Sequence, residues 1–155
     1  MIDFDKPQYD EILSNPQSIA NYIRRKSFDD EMWYFNHSHE FASINYSNWK
    51  ERVLDVLYRR YLDIDIEKGD GVLIDSPDHL LIIDWQTYCP VLERCEEQGI
   101  STELVCGTLY HTQAQMLLSL ILPGAIFRRE YGNLRPKGKF CREILEYHSG
   151  DSMNS

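Results

Sequence analysis

The sequence predicts an α+β fold: N-terminal helices followed by a mostly antiparallel sheet with interleaved helices. Three observations lead there. Apolar side chains recur at helical spacing through about the first sixty residues. Gly69-Asp70-Gly71 then breaks the pattern. Beyond it, short β-rich runs alternate with helical stretches and Pro/Gly turn signals.

The elements follow in order. Pro16 opens a helix over 17–26, with Ile19, Tyr22 and Ile23 on one face and Arg24, Arg25 and Lys26 near its end, where the helix dipole favours cations. The acidic triplet Asp29-Asp30-Glu31 suits the first turn of a second helix, 29–41. Ser47 is placed to cap a third, 48–62, on which Trp49, Val53, Val56, Leu57 and Tyr61 recur. Two β-rich runs, 72–75 and 80–85, flank the turn Ser76-Pro77-Asp78 and form a hairpin. Residues 90–98 read as a helix with Gly99 just past its end, and Ser101 caps another over 102–110. Thr112-Gln113-Ala114-Gln115 has the form of a capping box before 116–122, which Pro123-Gly124 stops. Strands over 125–131 and 140–147 complete the fold, joined by a polar connection. Residues 1–148 form one domain, and 149–155 a small polar tail expected to be flexible.

A chain of 155 residues with 43% hydrophobic and 12% aromatic content is too apolar to be disordered, and long enough to bury a core without disulfides. With 16 basic and 25 acidic residues the net charge is -9, which argues against general nucleic-acid or anionic-membrane binding. No apolar run reaches the length of a membrane span, and the acidic start Met1-Ile2-Asp3-Phe4-Asp5 has no signal-peptide character. The expected location is therefore cytoplasmic, with its four cysteines reduced.

Those cysteines, Cys89, Cys95, Cys106 and Cys141, all lie in the second half. Proline favours the first helical position and pushes the residue before it to extended geometry, so Cys89-Pro90 puts Cys89 at a helix N-cap. There the positive end of the dipole favours the thiolate. Cys95, six residues on, is a poor partner for Cys89 on one helix and reads as a packing thiol. Cys89, Cys106 and Cys141 are the candidate catalytic thiols. They are equally a candidate ligand set for zinc or an iron–sulfur cluster, with Cys95 the weaker fourth, although the spacing lacks the paired C-x2-C of common structural sites. His111 is expected to close the helix that carries Cys106. A local basic run, Arg128, Arg129, Arg135, Lys137, Lys139 and Arg142, surrounds Cys141. Arg128, Arg135 and Arg142 are candidates to bind an anionic small molecule such as a carboxylate.

The stretch from Tyr88-Cys89-Pro90 through Leu104-Val105-Cys106 and Phe127-Arg128-Arg129 to Phe140-Cys141 resembles the L-2-amino-thiazoline-4-carboxylic acid hydrolase-like family over about residues 80 to 147. The resemblance implies an α+β fold and cysteine-dependent hydrolysis of a C–N bond in a small cyclic amino acid. It matches Cys89, Cys106 and Cys141 to motif positions. Cys95 and the segment 131–136 depart from the pattern. The chain also resembles the ligand-binding domains named after vinyl reductase, which would imply a non-catalytic carrier or sensor of a small molecule.

Overall fold

The computed structural model describes residues 6–148, so the tail expected at 149–155 lies outside the described residues. After a single turn, α1 (Tyr9–Ile12), the helix α2 runs unbroken over Pro16–His37. Asn15 caps it by accepting from Ser18 N–H at 2.9 Å. The two helices expected here are one. Residues 24–31 contain no Gly or Pro, and Arg25 pairs with Asp29 one turn on at 3.3 Å. The acidic triplet thus sits in mid-helix, with Asp30 turned inward and buried.

Helix α3 (Trp49–Val53) is capped by Asn48, not Ser47: the Asn48 side chain accepts from Glu51 N–H at 3.0 Å. It continues as π-helical turns over Leu54–Tyr61. Trp49 Nε1–H and Lys50 Nζ donate to the carbonyls of Asp78 and Pro77, each at 2.9 Å. These bonds tie α3 to the turn between β1 (Gly71–Ile74) and β2 (Leu80–Trp85). Helix α4 (Pro90–Gln98) ends at Gly99, whose φ of 65° lets Ile100 N–H reach back to Cys95 O at 3.0 Å.

Ser101 caps α5 (Thr102–Val105), which passes through π-helical turns at Cys106–Tyr110 into α6 (His111–Ile121). The expected break at Thr112 is absent. The glutamine that would have closed the capping box bonds elsewhere: Gln115 donates to Ala125 O at 2.9 Å and accepts from Phe127 N–H at 2.8 Å. His111 accordingly stands inside a continuous helical run and does not end one. Gly124, at φ 93°, turns the chain into β3 (Ile126–Arg129), and β4 (Cys141–Glu146) follows a 3-10 turn at Tyr131–Asn133.

The four strands form one antiparallel sheet in the order β1-β2-β4-β3, as the fold class predicted. Period-two alternation sends Leu81, Ile83, Trp85, Phe127, Leu145 and Glu143 to one face, where the apolar ones join Val53, Leu57, Leu117 and Ile121 in the main core. Each aliphatic side chain buried there contributes about 2 kcal/mol. A smaller core joins Tyr9, Tyr22, Cys95, Val105 and Leu109. Among the described residues no helix is long and apolar enough to cross a membrane.

Candidate functional site

Between the sheet and the helices lies a cavity of about 450 Å³. Its sheet wall is Trp85, Phe127, Arg129, Cys141 and Glu143, and its helix wall includes Asp30, Tyr61, Cys106, Tyr110 and Gln113. Tyr88 and Cys89 stand at the junction between β2 and α4. Three of the four cysteines, Cys89, Cys106 and Cys141, border this one space, and none of the four is in a disulfide. Cys95 is buried in the smaller core.

Local geometry explains how each side chain arrives. Both π-helical segments line the cavity: Leu54–Tyr61 supplies Leu57 and Tyr61, and Cys106–Tyr110 supplies its two end residues. The wider turn shifts side chains around the axis relative to regular α-helix. On β4 the inward parity of Cys141, Glu143 and Leu145 carries a thiol and a carboxylate inside, while Arg142 faces the other way.

The thiols sit in different environments. Cys89 has the extended backbone of an N-cap, φ -128° and ψ 112°, as Pro90 predicts, yet its sulfur makes no hydrogen bond to the helix N-terminus. Burial pushes the Cys106 thiol up to about 11, against the opposing pull of the Arg129 guanidinium. Burial likewise pushes Cys95 up to about 12. Cys141 alone accepts a guanidinium hydrogen bond, from Arg135 Nε–H at 3.3 Å. Arg135 is itself held: Nη1 donates to Thr87 O at 3.0 Å, its own carbonyl accepts from Thr102 Oγ1 at 2.6 Å, and its guanidinium lies 5.4 Å from the centre of the Trp85 ring.

Two polar networks flank the thiols. Glu143, 1% exposed, forms an ion pair with Arg129 and accepts from Tyr58 O–H at 2.5 Å. On the helix wall Tyr61 O–H donates to Asp30, and Gln113 Nε2 donates to Tyr61 at 3.5 Å. Burial raises the Asp30 pKa above the usual carboxylate range, opposed by the Tyr61 and Gln113 bonds and by Lys26. His111 hydrogen-bonds Tyr131 through Nδ1, and burial with the nearby Arg129 lowers its pKa.

Among the described residues, five buried side-chain polar atoms have no partner: Trp85 Nε1, Arg129 Nε, Arg135 Nη2, Asp30 Oδ2 and Gln113 Oε1. Four of these residues line the cavity, and Arg135 reaches it through Cys141. The three donors belong to the sheet side, and the two acceptors to the helix side. Leaving a buried atom of this kind unpaired costs about 1–3 kcal/mol, and all five are themselves inaccessible to solvent.

Not all residues read from the sequence converge here. Arg142 grips Asp84 through two hydrogen bonds of 2.6 and 2.7 Å on the opposite sheet face, where Arg128 pairs with Glu146 at 2.8 Å. Of the three candidate anion-binding arginines, only Arg135 reaches the thiols. Arg129, from the same basic run, joins it at the cavity. Among the described residues no group of three His, Cys, Asp or Glu side chains is arranged to hold a metal ion. Trp85, Asp30, Tyr61, Gln113 and Glu143 went unread as site residues. For Glu143 the signal was present: strand parity with Cys141 and Leu145 places a charge inside an apolar layer. No family model, curated protein or solved structure matches the chain.

Proposed function

We propose that this protein is a cysteine hydrolase that cleaves a C–N bond in a small amino-acid-like substrate, with Cys141 as the nucleophile. The observation that carries this reading is the Arg135 Nε–H···Sγ contact of 3.3 Å at the cavity wall. The hydrogen bond fixes the sulfur at the cavity wall, where it can attack an electrophilic carbon. The thiol sulfur adds to the electrophilic carbon, the C–N bond breaks, and the departing nitrogen leaves with the proton the thiol gave up. Water then cleaves the new S–C bond and restores the thiol.

The charged residues on the two walls support the substrate class. Arg129 on the sheet wall suits a carboxylate and Asp30 on the helix wall suits an ammonium group, so a zwitterion matches both. A cavity of about 450 Å³ limits the substrate to a small molecule.

Three measurements test this. Alkylation mapped by mass spectrometry should find Cys141 modified before the more deeply buried Cys95 and Cys106, and Arg135→Ala should slow the modification of Cys141. Calorimetry should detect small cyclic and open-chain amino acids, but not their analogues lacking the amino group or the carboxylate. Turnover, read as released amine or acid, should vanish in Cys141→Ser while its melting temperature stays close to that of the parent. Binding with no turnover in the parent chain would favour a ligand carrier, the second reading that a cavity of this size supports. Equal reactivity of Cys141 and Cys106 would remove the nucleophile assignment.

A further inference from the structure

We propose that Gly138 and Thr102 are positioning residues for Cys141: they close and tie the loop that holds Arg135 against its sulfur. The inference rests on the assignment of Cys141 as the nucleophile. The connection before β4 doubles back between Asn133 and Gly138, where Gly138 N–H donates to Leu134 O at 3.0 Å. The two limbs touch there. A Cβ added at Gly138 would fall inside contact distance of the Asn133 carbonyl oxygen, and 3.1 Å from both the Asn133 carbonyl carbon and Oδ1. Two of these three atoms are backbone, so turning the Asn133 side chain cannot relieve the clash. Gly132, in the same connection, is different: an added Cβ there meets nothing within 4 Å.

Arg135 lies within the loop so closed. On the far side of Gly138 the chain is fixed to the sheet: Lys139 O accepts from Gln86 Nε2 at 3.2 Å, and Cys141 pairs with Trp85. On the near side Leu134 is buried at the cavity wall. The Arg135 carbonyl accepts from Thr102 Oγ1 at 2.6 Å, at the start of α5. The backbone at Arg135 is thus set from two directions, by the touching limbs and by the Thr102 hydroxyl. Its guanidinium follows, with Nη1 on Thr87 O at 3.0 Å and Nε on Cys141 Sγ at 3.3 Å. With the sheet side held, an extra methyl at position 138 pushes the 133–135 limb away, and Arg135 moves with it. Hydrogen bonds weaken steeply with poor geometry, so a shift on the order of 1 Å is enough to release the sulfur.

Iodoacetamide labelling of the full chain, with each cysteine followed by mass spectrometry, tests this. Cys95, buried in the smaller core, reports in the same sample on whether the fold is intact. Gly138→Ala should slow Cys141 to the rate seen in Arg135→Ala, and Gly132→Ala should leave it at the parent rate. Thr102→Val should slow Cys141 as well, whereas Thr102→Ser, which keeps the hydroxyl, should not. In the double variant Gly138→Ala with Arg135→Ala, Cys141 should react no more slowly than in Arg135→Ala alone, because both changes act through one guanidinium. Additive slowing in the double variant, or rapid labelling of Cys95 in Gly138→Ala, would show a merely structural role and overturn the proposal. A parent rate at Cys141 in Gly138→Ala or in Thr102→Val overturns it too, and leaves the nucleophile assignment standing. A Cys141 rate untouched by Arg135→Ala would instead sink that assignment, and the proposal with it.

Discussion

At the scale of single residues, the site is built at the expense of the fold. Asp30 has its pKa raised by burial, so the folded state holds its proton more tightly than the unfolded chain. A carboxyl of that kind leaves stability intact below the unfolded pKa and subtracts from it as pH rises through the folded pKa. Asp30→Asn keeps an acceptor for Tyr61 and removes the charge. In ligand-free protein it should therefore raise the melting temperature by a few degrees at pH 7 and leave it nearly unchanged near pH 3.5. The same variant should lose amino-acid binding. A scan at the two pH values, paired with calorimetry, separates the effects; destabilisation at pH 7 would show that Asp30 serves packing. The sequence disclosed Cys89 as an N-cap because Pro90 constrains its neighbour locally. It concealed the contact between Arg135 and Cys141, because what aims a guanidinium at a sulfur is the path of the connection before β4, and no spacing rule encodes that path.

Among the elements, what could be read divides along the same line. The hairpin, the Gly99 stop and the Ser101 cap follow from side chains that act on their own backbone, and all appear as expected. Two of the misreadings arose where a polar residue had two possible partners. Asn48 and Ser47 both suit a cap, and Thr112 and Gln115 suit a capping box; the structure gives the cap to Asn48 and Gln115 to the sheet. Asn48→Ala should accordingly cost about 1 kcal/mol, whereas Ser47→Ala and Thr112→Ala should each change stability by less than about 0.5 kcal/mol. Urea unfolding of the three variants checks this, and a Thr112→Ala loss equal to that of Asn48→Ala would restore a helix start at Thr112. The π-helical turns were beyond reach for a related reason. Apolar spacing in 48–62 fits ordinary helix and carries no mark of the wider turns.

For the whole molecule, the α+β class was legible because it rests on the order of periodicities along the chain, which survives errors at element ends. Strand order was not legible. β4 lies between β2 and β3 and pairs Ile83 with Glu143 and Arg129 with the same Glu143. Without β4 the sheet is a hairpin and an isolated strand, too little to stand alone. A chain ending at residue 139 should thus lack a cooperative melting transition, and a synthetic peptide of residues 140–155 added in trans should restore one, read by far-ultraviolet circular dichroism with temperature. Cooperative melting without the peptide would mean that the helices hold the fold. The central position of β4 also sets a schedule for protein synthesis. The strand that joins the two parts of the sheet is the last of the four to leave the ribosome, and it carries Cys141 and Glu143. A nascent chain has its helices and hairpin emerged while the thiol assigned to attack is still in the exit tunnel. The sheet therefore closes only once β4 has emerged.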